Sequence, residues 1–133
     1  MRSRTYWIVC LSCIIGLGIA SRIVHTGWII LDKYAGDALY AAMVYAIVSL
    51  VWQMGPLRKA VLAMLIMTAL EVFQLTMIPA HMLASGNLAT RIVARLLGTE
   101  FSFRDLLAYA VGILGIFICD HKFPHPTHRI SRR

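Results

Sequence analysis

Charge is scarce in this chain. Charged residues make up 14% of the 133, only 6 of them acidic, while 59% are hydrophobic and the mean hydropathy is +0.74. A water-soluble domain carries about 25% charged and about 45–50% apolar residues. So short and apolar a chain cannot hide its greasy surface in one aqueous core, which excludes an ordinary cytosolic enzyme, a disordered chain and a small disulfide-bonded module. Cysteine is also sparse. Cys10, Cys13 and Cys119 all lie in apolar stretches, which argues against a disulfide framework. The C-x-x-C spacing of Cys10 and Cys13 has neither a redox βα context nor a neighbouring charge to lower a thiol pKa, so the three read as small buried hydrophobes. A glycine-rich phosphate loop, a nucleophile elbow and an H-E-x-x-H pair are all missing. No cofactor and no metal site is therefore expected, and these motifs name no catalytic residue.

What is present is a set of long apolar runs. Tyr6–Val24 holds one charge near its end, Arg22. Ala38–Met54 holds none, Ala60–Ile78 only Glu71, and Leu106–Cys119 none. A helix rises about 1.5 Å per residue and the hydrocarbon layer is about 30 Å thick, so about 20 residues suffice to span it. Period-two alternation is absent, which favours helices over barrel strands. The expectation is an all-α integral membrane bundle, one domain over residues 1–133, with four transmembrane helices at about 6–24, 37–54, 58–78 and 103–119. Gly36 and Asp37 would form the first turn of the second span, and Pro79 would end the third.

The net charge of +7 sits around these runs instead of on an aromatic-interleaved polar face, so it points to lipid headgroups and topology, not to nucleic acid. Arg2, Arg4, Arg58, Lys59, Lys122, Arg129, Arg132 and Arg133 fall on one side; Arg22, Lys33, Arg91, Arg95 and Arg104 fall on the other. Eight against five places both termini in the cytoplasm of a bacterial inner membrane, with residues 120–133 as a basic cytoplasmic tail. Gly18-Ile-Ala20 after an apolar stretch also imitates a signal-peptide cleavage site; cleavage would leave three spans in the same orientation. The tail histidines, His121, His125 and His128, are interrupted by Pro124 and Pro126 and read as a solvated basic segment.

With this orientation the polar residues gather toward the outer leaflet, and the inner half is expected to hold almost none. Arg22 ends the first span, Asp37 starts the second, Glu71 lies inside the third with Gln74 one turn on, and Asp105 starts the fourth. Tyr40 and Tyr109 share faces with the two aspartates at i+3 and i+4. Glu71 is the most informative, since a carboxylate inside a span must be paired, hydrated or protonated. It reads either as a proton acceptor, substrate contact or metal ligand, or as a structural partner of Arg22, Arg91, Arg104 or a tyrosine. Ser102-Phe-Arg-Asp105 reads as a capping box. Between the third and fourth spans, residues 88–97 read as a short interfacial amphipathic helix capped by Ser85 or Asn87 and stopped by Gly98. Leu88, Ile92 and Leu96 form one stripe, Arg91 and Arg95 another; the arginines either rest on the membrane surface or hold a phosphate or carboxylate over the Glu71 layer. His81 reads as an interfacial residue. Gly16/Ala20 and Ala108/Gly112, with Gly115, permit close helix contact within the bundle or in a homo-oligomer.

Gly36-Asp37-Ala-Leu-Tyr40, Glu71-Val-Phe-Gln74 and Gly98-Thr-Glu-Phe101-Ser-Phe-Arg-Asp105-Leu-Leu-Ala-Tyr109-Ala-Val-Gly112 resemble the small bacterial membrane proteins of domain-of-unknown-function family 2809 (DUF2809). The Asp, Glu-x-x-Gln and Asp-Leu elements are also similar to the wider VanZ-like group, in which the last motif more often has Asn where this chain has Tyr109. The resemblance implies a four- or five-helix inner-membrane protein whose polar signature is Arg22, Asp37, Glu71, Gln74 and Asp105, with no catalytic role to transfer. The candidate ligand-binding cluster is thus Arg22, Asp37, Tyr40, Glu71, Gln74, Arg91, Arg95, Asp105 and Tyr109. The expected function is binding or handling an envelope lipid or lipid-linked precursor, with anionic or polyprenyl-linked membrane lipids as partners. A non-catalytic accessory subunit bound to a membrane-protein partner and a proton-coupled small-solute carrier are the alternatives.

Overall fold

The computed structural model describes residues 3–24, 27–98 and 100–122, without the side chains at 22 and 29–31. Among these residues the fold is all-helical, with six helices and no strand: α1 (Arg4–Ile23), α2 (Ile29–Val51), α3 (Pro56–Gln74), α4 (Ile78–Leu83), α5 (Leu88–Leu97) and α6 (Phe103–Lys122). Ser3 starts α1 by accepting the Tyr6 amide on its hydroxyl at 3.3 Å. Gly55 in extended conformation followed by Pro56 starts α3, where the missing proline N–H costs nothing. Asn87 Oδ1 accepts the Ala89 amide at 2.9 Å and starts α5; Gly98, at φ 78° and ψ 160°, stops it in a region essentially reserved for glycine.

Three of the differences between the helix boundaries and the sequence expectation bear on the polar residues. The second helix begins at Ile29, eight residues before Asp37, so Asp32 and not Asp37 is the acid of its first turn. Hydropathy marks where the apolar run starts, whereas the backbone ladder continues through Trp28–Leu31 and carries Gly36 without a break. The third helix stops at Gln74 instead of 78. The Thr76 hydroxyl donates to the Phe73 carbonyl at 2.7 Å, and Met77 turns to φ 60°, so Pro79 opens the separate helix α4 instead of ending α3. The sixth helix runs on to Lys122, so the expected tail begins as helix; residues 123–133, with His125 and His128, lie outside the described residues. The cysteines are not buried as expected: Cys13 and Cys119 are exposed and Cys10 half-buried, because they lie on outward faces of α1 and α6.

Helix α2 is the hub. It packs on α1, on α3 and most extensively on α6, and α3 packs on α6. The end of α3 meets the start of α6 at Glu71–Tyr109, and the start of α3 meets the end of α6 at Lys59–Asp120, so α3 and α6 run in opposite directions side by side. The core joins Trp7, Tyr45, Val48, Met67, Tyr109 and Ile113 with small residues at 41, 46 and 63. Small residues also set how closely the backbones approach. A methyl group on Gly112 would overlap the backbone of Ala38 in α2, with the Ala38 carbonyl carbon at 2.7 Å, whereas Gly16 and Gly115 face open space. Outward surfaces stay apolar: Leu17 and Ile19 of α1 are each 58% exposed, and Leu65, Leu107 and Val111 are exposed on α3 and α6. By length and composition α1 and α2 are long and apolar enough to cross a membrane.

Candidate functional site

Two polar assemblies lie at opposite ends of the bundle. The first centres on Glu71, which is 1% exposed near the end of α3. Its Oε1 accepts the Tyr109 hydroxyl of α6 at 2.6 Å, and its Oε2 accepts the backbone N–H of Ser102 at 3.2 Å. Of the two readings of Glu71, the geometry matches a hydrogen-bonded partner of a tyrosine. The same bond changes the expected capping box: the Ser102 amide goes to Glu71 across the bundle, while Asp105 contributes only its own amide to the Ser102 carbonyl at 3.1 Å. Freed from capping, the Asp105 carboxylate faces α2, where Lys33 Nζ stands 3.4 Å from its Oδ1 as an ion pair without hydrogen-bond geometry.

One turn beyond Glu71, Gln74 is 5% exposed and donates from Nε2 to the Leu97 carbonyl at 2.8 Å, tying α3 to the end of α5. Gly98 makes room for this, since a methyl group there would meet Gln74 Nε2 at 2.6 Å. The amide orientation is forced, because a carbonyl can only accept. Gln74 Oε1 is therefore left buried with no hydrogen-bond partner among the described residues.

These groups border a cavity of about 720 Å³ between α1, α2, α5 and the start of α6. Asp37, Tyr40, Gln74, Arg95, Asp105 and Tyr109 line it, six of the nine residues singled out from the sequence. Glu71 stands behind the wall, holding Tyr109. Arg91 is exposed and does not line the cavity, and the Arg22 side chain lies outside the described residues. Sequence reasoning missed Lys33 and Glu100, which do line it. Lys33 was legible in principle, four residues before Asp37 and so on its face, had the helix been started early enough. The opposite wall is aliphatic, from Ile14, Ile15, Ile19 and Ile23 of α1, with Ile92 and Leu96 closing from α5. Leu88, Ile92 and Leu96 keep an exposed apolar stripe along α5. His81 bonds only locally, to the Met77 carbonyl at 2.7 Å. Among the described residues no group of three His, Cys, Asp or Glu side chains could hold a metal ion.

The second assembly corrects the expectation that the half of the bundle away from Glu71 is almost without polar groups. Lys59 of α3 and Asp120 of α6 are 2% and 8% exposed and pair at 3.1 Å. The Tyr45 hydroxyl donates to the same Asp120 Oδ2 at 2.8 Å, and the Lys59 ammonium lies 4.8 Å from the centroid of the Trp7 ring. Each charge is badly placed for its own helix, a cation near an N-terminus and an anion near a C-terminus. In the antiparallel pair each lies beside the neighbour's terminus of opposite partial charge.

The model of a family described as protein of unknown function (DUF2809) matches residues 24–113, about two thirds of the chain. The chain belongs to the DUF2809 family. The match spans α2 to α5 and the first half of α6, so the DUF2809 region contains the polar side of the cavity, the Glu71–Tyr109 bond and Lys59; α1 and Asp120 lie outside it. No curated protein and no solved structure matches the chain.

Within this DUF2809 site, Glu71→Leu removes the acceptor of the Ser102 N–H and the Tyr109 O–H, and is expected to cost about 1–3 kcal/mol as buried donors lose a partner. Glu71→Gln should be milder, because its amide can still accept from Ser102 and donate to the Tyr109 oxygen. Thermal melting in detergent, followed by circular dichroism, checks the order wild type, Gln, Leu.

Proposed function

We propose that the protein is a multi-pass bacterial inner-membrane protein, with both termini cytoplasmic, whose cavity binds an envelope lipid or lipid-linked precursor from the outer leaflet. The carrying observation is the cavity itself, a polar end formed by α2, α3, α5 and α6 facing an aliphatic wall of α1. That is the shape of an amphiphile: headgroup against Arg95, Asp105 and Gln74, acyl or prenyl chain against Ile15 and Ile19. The exposure of Ile19 and Leu96 at its rim gives such a chain a side entrance from the bilayer. A VanZ-like kinship of the Asp and Glu-x-x-Gln elements agrees with an envelope role.

The packing supports a reading with four spans. Helices α3 and α6 have the length of spans, with 19 and 20 residues, but carry three and four charged residues along them. The bundle removes most of this objection, because Lys59 and Asp120 neutralise each other, Lys33 pairs Asp105, and Glu71 accepts two hydrogen bonds. The remaining charges, Arg58, Arg104 and Lys122, lie at helix ends, where snorkelling reaches the headgroups. The eight-to-five Lys/Arg asymmetry supports the orientation. A proton-coupled carrier is less well supported, since Glu71 does not line the cavity.

Native mass spectrometry of the full chain purified in mild detergent tests the reading. About one phospholipid-sized adduct per chain is expected, given a cavity in the size range of ligand sites. Ile19→Trp, which fills the aliphatic wall from an exposed position, should remove most of it while leaving the melting profile intact. A lipid-free wild type, or adducts unchanged by Ile19→Trp, counts against a lipid in this cavity. Lipid-free protein with a stoichiometric membrane partner would favour the accessory-subunit reading instead.

A further inference from the structure

Two buried acceptors at the polar end of the cavity decide what headgroup fits. Gln74 Oε1 has no hydrogen-bond donor among the described residues, and the Nε2–Leu97 bond prevents the amide from turning to find one. Asp105 Oδ1 likewise has no hydrogen bond, only the ion-pair contact to Lys33. Both residues line the same cavity, and both are more than nine-tenths buried, at 5% and 8% exposure. A buried acceptor without a donor is costly, so an occupant that supplies donors there gains both the bonds and the relief. A phosphodiester alone or a choline headgroup offers none: diester oxygens accept only, and a trimethylammonium has no N–H. Resting on the lipid reading above, we propose that the site selects lipids whose headgroup donates hydrogen bonds, through a primary ammonium or through hydroxyls, to Gln74 and Asp105. Arg95, on the same cavity, is placed to receive the phosphate that links such a headgroup to its chains.

The test compares three phospholipids with identical acyl chains on the delipidated full-length protein by native mass spectrometry. Phosphatidylethanolamine presents ammonium donors, phosphatidylglycerol presents hydroxyl donors, and phosphatidylcholine presents neither. Retention of at least one of the first two should exceed that of phosphatidylcholine by at least about fivefold, the ratio one net hydrogen bond provides. Preference for phosphatidylethanolamine alone assigns the ammonium; preference for phosphatidylglycerol alone assigns hydroxyls; preference for both supports the shared chemistry. Gln74→Met, of similar length and without the acceptor, should shrink the ratio of donor-bearing lipid to phosphatidylcholine. The wild-type ranking stands on its own if that variant misfolds. Equal retention of all three lipids overturns the headgroup inference but leaves a lipid site, whereas retention of none overturns the lipid reading too.

Discussion

Lys59→Met is expected to destabilise the protein by about 3–5 kcal/mol, because it leaves the Asp120 carboxylate charged and buried without its cation. Asp120→Leu should cost a similar amount by stranding the ammonium against the Trp7 ring, a contact too weak to compensate a desolvated charge. The double variant Lys59→Met/Asp120→Leu should recover most of the loss or exceed wild type, since a buried pair replaced as a unit by apolar side chains of similar size is often neutral to stabilising. The Tyr45 hydroxyl keeps an acceptor in that variant, the Pro56 carbonyl at 3.3 Å. Melting of the three variants in one detergent, read as a double-mutant cycle, checks this. Additive losses would mean that the two charges are independently solvated, and that this end of the α3–α6 pair is wet.

This pair also shows why parts of the molecule were hidden from sequence reasoning. Hydropathy treats a charged residue as the flank of a span, so Lys59 reads as a basic residue at the edge of the third span and Asp120 as part of the tail. Their pairing joins residues 61 positions apart, and no local periodicity encodes it. The outer layer was easier to read, because its residues advertise themselves locally. Glu71 interrupts an apolar run, Gln74 follows one turn on, and Asp105 and Tyr109 share a helix face. Even there, partners were not legible. The Ser102–Asp105 spacing suggested a local cap, and only the packing of α3 against α6 lets Glu71 take the Ser102 amide instead. Helix α5 was legible down to its ends, because Asn87 and Gly98 are local signals and its apolar stripe has helical period. The start of α2 was not, because Asp32, Lys33 and Gly36 separate the apolar residues 28–31 from the run that begins at Ala38, while the helix continues through all of them.

Gly112 is where the two polar assemblies depend on the backbone between them. Spacing alone marked Ala108, Gly112 and Gly115 as small residues without saying which of them meets another helix. In the bundle it is Gly112, against the Ala38 backbone, with Ala38 Cα at 2.8 Å from where a methyl group would stand. Backbone cannot rotate away as a side chain can, so Gly112→Ala must push α6 off α2. The expected cost is about 3 kcal/mol, at the upper end of ordinary overpacking. Gly115→Ala, one helical turn on and facing open space, should be neutral or slightly stabilising, because alanine is favoured over glycine in a helix by about 1 kcal/mol. The separation should reach the site as well. Tyr109 lies one turn before Gly112 and Asp105 a further turn back, so displacing α6 pulls the Tyr109 hydroxyl from Glu71 and moves Asp105 from Lys33. Gly112→Ala should therefore lose both melting temperature and bound lipid, while Ile19→Trp loses lipid alone. If Gly112→Ala melts like Gly115→Ala, the close approach of α2 and α6 does not set the register of the site.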